Sequence, residues 1–491
     1  MTGPHARGLG GRLLGGSALT LASSLLSRGI ALVQSVVVAR ALDPRQIGVF
    51  AIVTYVLGLV AAFADLGLPT AAAKLLSEAQ GGRGPLRQVV TTLAVAMLGV
   101  AGLAGLVLLA AAAPLAAFYA EPSLAGLFRL GAPLLVLSLL GALAAGMLQG
   151  LGRITRLAVA GVVKGLVALA GIVLLVRPLG LAGVLVASIV AELVMWLFVA
   201  GPLGRAAGPR TDRAARAPAG AVLRRGVHVA VPVFLTGLLV WGSALFVRSY
   251  VAAGLGWADV GYFQLADALA RVLLILPAAV AVPLVPLVSE STAAGGAGAA
   301  ELARLSLRAT LLAVLPAALF LYVAARPLVV LAYGAAYAGA GPIAALLVLA
   351  AFFQALGVIA SSTLVGAGRA WAWLWIQSAG YALLGLLTVG LVPVLGLAGL
   401  GMAHIAAAAL ALVLGLWYLA RRLDVRLDAV GALAPVGVLG WLAAWGLELA
   451  GSAGIVAGLA LAGGVAALEW RGLSREEASW VRAAARRVGL R

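Results

Sequence analysis

Long apolar runs, separated by short polar segments, occupy almost the whole chain. A membrane-spanning helix needs about 20 consecutive, mostly apolar residues, and 14 runs are long enough. The predicted spans are 13–39, 47–70, 89–113, 131–152, 157–176, 180–201, 227–250, 259–288, 307–325, 342–365, 371–392, 397–420, 430–448 and 451–468. We therefore predict an all-α polytopic membrane protein with about 14 transmembrane helices.

The same short motifs occur twice, in the same order. Segments 39–50, 114–115, 148–153 and 179–189 return at 252–263, 327–328, 364–369 and 395–405, respectively. Four or more matches at nearly one offset predict a duplicated architecture. Each repeat holds six predicted helices, so both insert the same way up, with a pseudo-twofold axis along the membrane normal. Such a duplication is typical of a two-lobed transporter with its substrate site between the lobes.

The repeat divides the chain into five predicted parts. They are an N-terminal six-helix lobe (1–201), a basic linker (202–226), a C-terminal six-helix lobe (227–420), two extra transmembrane helices (430–468) and a basic tail (469–491).

Composition agrees with a membrane chain and narrows its chemistry. Hydrophobic residues make up 64% of the sequence, more than a soluble core requires. The chain has no cysteine and three scattered histidines, so we expect no disulfide and no metal site. The net charge of +18 comes largely from arginines in alternate loops. This bias predicts cytoplasmic termini. It also accounts for the positive net charge without nucleic-acid binding.

Arg28 lies near the middle of the first predicted span. At 100° per residue, Ser24 and Ser35 fall on the same side of that helix. An ionised side chain at this depth costs at least about 2.5–3.5 kcal/mol unless water or a partner reaches it. Two interpretations stay open: Arg28 and the two serines line a cavity that binds an anion, or Arg28 is held by a buried acid or by helix carbonyl groups.

Asp267 and Arg271 form a second group of charges, on the eighth predicted span. Their i,i+4 spacing places them on one face, where they can pair. The pair is either a cavity wall whose cation exchanges Asp267 for substrate, or a fixed local ion pair. Pro277, which follows in the same span, predicts a kink.

Lys164 and Glu192 are a third group, each 14 residues from Pro178. A tight antiparallel hairpin would place them at equal depth, so we expect them to pair. A structural pair is favoured over a site of ion coupling. Asp65 lies at the predicted cytoplasmic end of the second span, where anchoring at the membrane interface is favoured over a cavity role.

Signals for an enzyme are weak. The sequence offers no catalytic triad and no cluster of metal ligands. The predicted external loops are short, and their acidic residues Asp43 and Glu121 stand alone. We therefore predict no enzymatic activity, although a membrane enzyme of lipid-linked sugar assembly remains an alternative.

Three segments resemble a known family. Segment 40–50 (RALDPRQIGVF) is similar to the run that follows the first helix of bacterial polysaccharide transporters, and 64–68 (ADLGL) and 148–153 (LQGLGR) lie where that family has similar runs. These transporters, which include O-antigen flippases, belong to the multidrug/oligosaccharidyl-lipid/polysaccharide exporter (MOP) superfamily. Asp43 departs from the glycine that is frequent in the family at this turn.

The resemblance implies a flippase for polyprenyl-diphosphate-linked oligosaccharides, working by alternating access through a cationic cavity in a bacterial inner membrane. It implies as partners the lipid-linked oligosaccharide, the phospholipid bilayer and other polysaccharide assembly proteins, with function as a monomer. No cofactor is implied, apart from coupling to protons or sodium ions. The main alternative is an organic-cation antiporter of the same fold, which predicts a cavity of acids and aromatic residues.

Overall fold

The computed structural model describes residues 23, 26–78, 86–207, 219–293, 297–425, 440–444 and 455–471, which are helical with short turns and contain no strand. The helices are α1 (26–41), α2 (Pro44–Asp65), α3 (Leu68–Glu78), α4 (Leu86–Phe118), α5 (Ser123–Gly150), α6 (Ile154–Ala207), α7 (Ala219–Gly254), α8 (Trp257–Ala270), α9 (Ile275–Ala293), α10 (Ala297–Val323), α11 (Ala325–Tyr333), α12 (Ala340–Gly366), α13 (Ala370–Arg422), α14 (440–444) and α15 (Ile455–Arg471). Short 3₁₀ segments cover Arg271–Leu274 and Ala335–Tyr337.

Local chemistry explains where α2 begins and ends. Asp43 caps the helix: its carboxylate accepts a hydrogen bond from Gln46 N (2.8 Å), and the Gln46 side chain accepts one from Asp43 N (3.1 Å). Pro44 follows at the first helical position, where its missing N–H costs nothing. The predicted span 47–70 is corrected to two helices, because Leu66 and Gly67 form a left-handed turn after Asp65.

Two long helices each contain one non-helical glycine. In α6 Gly180 has φ 56° and ψ −133°, and in α13 Gly396 has φ 56° and ψ −138°. These are equivalent positions of the sequence repeat. At 1.5 Å per residue, the 54 residues of α6 and the 53 of α13 are each far longer than the roughly 30 Å of a bilayer core. Each therefore corresponds to two of the predicted spans, divided at its glycine.

Nine helical runs of the described residues are long and apolar enough to cross a membrane, two of them being α6 and α13. The count of 14 spans remains a prediction, because much of 430–448 and the start of 13–39 lie outside the described residues, as does the tail after 471.

Helix ends repeat as well. After α5, Arg153 N donates to Leu148 O (2.9 Å) across Gly152, which has φ 67°. After α12, Arg369 N donates to Leu364 O (2.7 Å), and Gly368 has φ 73°. This is the same left-handed helix end twice, and it explains why these glycines recur in the sequence.

The helices α2 and α8 cross at a third pair of repeated glycines. A Cβ atom at Gly48 would lie 2.0 Å from the carbonyl oxygen of Trp257, and one at Gly261 would lie 2.0 Å from that of Pro44. The contact is reciprocal, since Pro44 and Trp257 are the first residues of their helices. Only glycine permits backbones to approach this closely.

Internal contacts divide the chain into unit one (1–264) and unit two (265–491). In unit one, α2, α3, α4 and α5 enclose a core that includes Ile52, Leu93 and Phe128. In unit two, α9, α10, α12 and α13 pack around Leu307, Ile359 and Leu364. The five-part division drawn from the sequence repeat stays a prediction.

The eighth predicted span, 259–288, lies within one apolar helical run, Trp257–Ala293, which a 3₁₀ turn interrupts. The α-helical pattern stops at Ala270, and the 3₁₀ turn Arg271–Leu274 precedes α9. Pro277 has no N–H with which to bond the carbonyl of Leu273, four residues before it. The break therefore lies one turn before the proline, and Arg271 opens it.

Candidate functional site

Arg271 lies at the break between α8 and α9 in unit two. Its Nε donates to Asp267 Oδ2 at 2.9 Å, so the i,i+4 pair forms. The Arg271 side chain is 56% exposed, whereas that of Asp267 is 13% exposed. Tyr381 of α13 lies within electrostatic reach of both groups. The turn thus holds a more than half exposed guanidinium beside a largely covered carboxylate.

Arg28 is exposed on α1 in unit one. On this helix Ile30 packs on Gly165 of α6, and Gln34 donates to the Gly165 carbonyl oxygen at 2.8 Å. Arg28 precedes Ile30 by two residues and so points to another side of α1. Ser35 is half-buried and donates to the carbonyl of Leu32 at 2.7 Å.

Ser24 lies outside the described residues, so the stripe of polar residues predicted from Ser24, Arg28 and Ser35 is described only in part. What the structure gives is an exposed guanidinium on the side of α1 that α6 leaves uncovered.

Lys164 and Glu192 form the expected ion pair within α6, Lys164 Nζ donating to Glu192 Oε1. The Glu192 side chain is 5% exposed, and its Oε2 accepts no hydrogen bond from a described residue. Gly141 of α5 packs against this oxygen, which an added Cβ would approach to 3.3 Å, closer than an ordinary contact. Whether the pair is structural or couples ions stays a prediction.

Asp65, the last residue of α2, lines a cavity of about 320 Å³ in unit one. The wall also includes Ser138 of α5 and Phe234 and Trp241 of α7. The backbone N–H of Gly67 donates to the Asp65 carboxylate. Its Oδ1 is buried and receives no hydrogen bond from a described residue. Asp65 thus lies beside a cavity, the setting of the less favoured of its two interpretations, and the choice between them stays a prediction.

Arg248 falls near the end of the predicted span 227–250. It lies within α7 and is 2% exposed. Its Nε and Nη2 donate to Gln264 Oε1 at 3.0 and 2.9 Å, and its guanidinium carbon lies 3.6 Å from the ring centroid of Tyr55. The second aromatic face, that of Phe263, is 4.7 Å away. Arg248 therefore joins α2, α7 and α8 as a packed structural cation.

The loop pattern suggests that Glu121 has no charged or polar neighbour, but in the structure it has two. Arg45 Nη2 donates to Glu121 Oε2 at 2.5 Å, and Ser123 Oγ donates to Oε1 at 2.7 Å. Burial alone would raise the pKa of Glu121, but the hydrogen bonds from Ser123 and Arg45 hold that pKa below its usual value. These residues border a cavity of about 740 Å³ at the starts of α2 and α5, next to Gly180.

Among the residues that the structure describes, no three His, Asp or Glu side chains come together as metal ligands. The charged groups within the apolar helices include two carboxylates, Asp267 and Glu192, that are paired with Arg271 and Lys164. Such groups suit the binding and passage of charged ligands through apolar helices.

Solved structures of transporters share this fold. A multidrug resistance MATE family transporter of the MOP superfamily, in an inward-facing conformation, superposes with a TM-score of 0.69 at 16% identity, over 83% of this chain and 98% of that chain. The lipid II flippase MurJ, in an inward closed conformation, gives 0.69 at 12% identity over 92% and 98%. A MOP superfamily transporter from Pyrococcus furiosus, described with a binding pocket of reverse polarity, gives 0.62 at 16% over 83% and 94%.

These likenesses show the fold, that of the MOP superfamily, whose members found here are transporters and a flippase and not enzymes. Its apolar helical runs make the chain a multi-pass membrane protein with this fold. Residues 13–292, more than half of its length, match the family model described as polysaccharide biosynthesis protein. The chain belongs to that polysaccharide biosynthesis family. The comparison with curated proteins found no match.

Proposed function

We propose that the chain is a flippase that moves a polyprenyl-diphosphate-linked oligosaccharide across a bacterial inner membrane, by alternating access, for cell-surface polysaccharide synthesis. The polysaccharide biosynthesis family supports the product class, and the fold shared with the lipid II flippase MurJ supports a lipid-linked substrate. The cytoplasmic placement of both termini is part of the proposal.

The observation that carries the proposal is the state of Arg271. It lies where a helix break interrupts an apolar span, with its side chain more than half exposed and Asp267 beside it. A diphosphate offers oxygens to which a guanidinium donates paired hydrogen bonds. Asp267 keeps the cation neutralised while no phosphate is bound, and it is released when phosphate takes its place.

Arg28 is the second cation of the proposal. It is exposed on an apolar helix, at a depth where a bare guanidinium is costly. A phosphate oxygen or cavity water would remove that cost. Each arginine is therefore expected to contribute to the recognition of the diphosphate, and each can be tested separately.

The test is flipping of a fluorescent polyprenyl-diphosphate sugar in proteoliposomes. Arg28→Gln and Arg271→Gln should each lower the initial rate at least about tenfold, since one charged hydrogen bond contributes about 1.5–3 kcal/mol. Arg271→Lys keeps the charge without the planar fork and should fall between wild type and Arg271→Gln.

The matched control is Arg304→Gln. It removes an arginine that also pairs with a carboxylate on its own helix, Glu301 at 2.7 Å, and it should leave flipping unchanged. Full activity in both Arg28→Gln and Arg271→Gln would refute the cationic site. Export of an organic cation without any flipping by wild type would replace the proposal with a multidrug antiporter.

A further inference from the structure

The cavity beside Asp65 has one carboxylate and two aromatic side chains in an otherwise small and apolar lining. We propose that it is a binding site for a small organic ammonium ion, the site being formed by the Asp65 carboxylate and the aromatic rings of Phe234 and Trp241. This inference does not depend on flipping, and it lies entirely within unit one.

The first argument is the carboxylate oxygen. Asp65 Oδ1 is buried, and no described residue donates a hydrogen bond to it. A buried acceptor without a partner is costly, so native structures rarely leave one. Asp65 also lines the cavity, so a cation bound there would offset the negative charge of this carboxylate.

The second argument is the position of Asp65 at the end of α2. The last carbonyl groups of a helix have no intrahelical partners, and they form the negative end of its dipole. Ala61 and Ala62, from this last turn, also line the cavity. Helix end and carboxylate therefore favour positive charge in the same place.

The third argument is the aromatic wall. Trp241 packs against Gly58, where an added Cβ would be 2.3 Å from its ring, so this glycine makes room for the indole. Phe234 is held edge-on by Phe63 at a centroid distance of 6.4 Å. Ring faces attract cations, and quaternary ammonium groups are bound in this way.

The lining selects an organic ion over a metal ion. Its side chains supply oxygen only from Asp65 and Ser138, and the Ser138 hydroxyl already donates to Leu135 O at 2.9 Å. Hard metal ions need about six or more oxygen ligands. A volume of about 320 Å³ also equals roughly ten waters at about 30 Å³ each, far more than a bare ion fills.

The experiment is calorimetric titration of the full chain in nanodiscs of phosphatidylglycerol, whose headgroup has no ammonium. Choline is the probe, and sodium chloride at matched ionic strength is the second arm. Choline should bind the wild type, and Asp65→Asn should raise its Kd at least tenfold. The control Glu290→Gln removes an exposed carboxylate of α9 and should leave the Kd unchanged.

A second variant protects the test if Asp65→Asn does not fold. Phe234→Leu keeps the carboxylate and removes one ring, and it should raise the choline Kd about two- to fivefold. Adding phosphatidylcholine to the nanodiscs separates the two sources of the ammonium group: a lipid headgroup would compete with choline, whereas a soluble ligand site would be unaffected by it.

Three results would overturn the proposal. They are no choline binding by folded wild type, an unchanged Kd in folded Asp65→Asn, and sodium binding lost in Asp65→Asn without any choline binding. The last would mark an inorganic cation site instead.

Discussion

The crossing of α2 and α8 offers a direct test of the repeat-related contact in unit one. A methyl group at Gly48 would lie 2.0 Å from the carbonyl oxygen of Trp257, whereas ordinary contacts begin at 3.4 Å. The helices would have to separate by about 1.4 Å, the difference between these distances. A backbone carbonyl cannot rotate away as a side chain can, so Gly48→Ala forces this separation.

The cost of the substitution follows from packing. Overpacking of this kind destabilises by about 1–3 kcal/mol, and the helix propensity gained from alanine offsets about 0.5–1 kcal/mol of it. Gly261→Ala meets the carbonyl of Pro44 at the same distance and should cost as much. Because one separation relieves both clashes, the double variant should cost less than the sum, by at least about 0.5 kcal/mol.

Thermal unfolding followed by intrinsic tryptophan fluorescence measures these effects in detergent. Gly48→Ala and Gly261→Ala should each lower the midpoint by several degrees. The control Gly99→Ala on α4 has nothing within 4 Å of the added Cβ, and it should be neutral or slightly stabilising. If Gly48→Ala is as stable as Gly99→Ala, or if the two changes add fully, the reciprocal contact is wrong.

Three other features of unit one make predictions about stability. Because hydrogen bonds hold the pKa of Glu121 below its usual value, its stabilisation is present above the unfolded-state pKa and is lost as the pH falls through the folded-state pKa. The temperature of the unfolding midpoint should decrease as the pH is lowered below about 5, and this decrease should be smaller in Glu121→Gln. Lys164→Met should destabilise the protein more than the double variant Lys164→Met/Glu192→Leu, because the single variant leaves the buried Glu192 carboxylate uncompensated. The loss of stability in Lys164→Met should stay below the roughly 3–5 kcal/mol of a fully buried pair, since Lys164 is 38% exposed. Gly180→Ala meets no atom within 4 Å, so its cost of about 1–3 kcal/mol should come from backbone strain alone, and an unchanged midpoint would contradict that reason.

Much of the helix pattern could be predicted because hydropathy records where a chain is surrounded by apolar material. The repeat could be predicted because its shared motifs contain glycines with a backbone task. Gly152 and Gly368 end their helices in the left-handed region. Gly180 and Gly396 interrupt α6 and α13, and the backbone conformations of these two glycines are nearly identical. A glycine that is needed for its backbone conformation recurs at equivalent positions of the repeat, so it can be recognised from the sequence.

Contacts between distant segments leave no such mark. Arg248 lies near the end of the predicted span 227–250, and the hydropathy pattern does not indicate that Tyr55, almost 200 residues earlier, covers it. Glu121 is tied to Arg45 across 76 residues. The Asp65 cavity exists because α2, α5 and α7 meet around small residues, which hydropathy does not resolve.

The contrast between two arginines bears on the proposed transport site more than the presence of either one. Arg248 is an example of a structural cation in this chain. It is 2% exposed, and Gln264 and Tyr55 contact its guanidinium. Arg271, in contrast, is the first residue of a 3₁₀ turn, and its side chain is 56% exposed. An arginine left open in an apolar span is stable only where water or a ligand reaches it. If both were structural, replacing either would lower stability alike. If Arg271 binds substrate, Arg271→Gln should lower flipping with little change in the unfolding midpoint, whereas Arg248→Gln should lower the midpoint first.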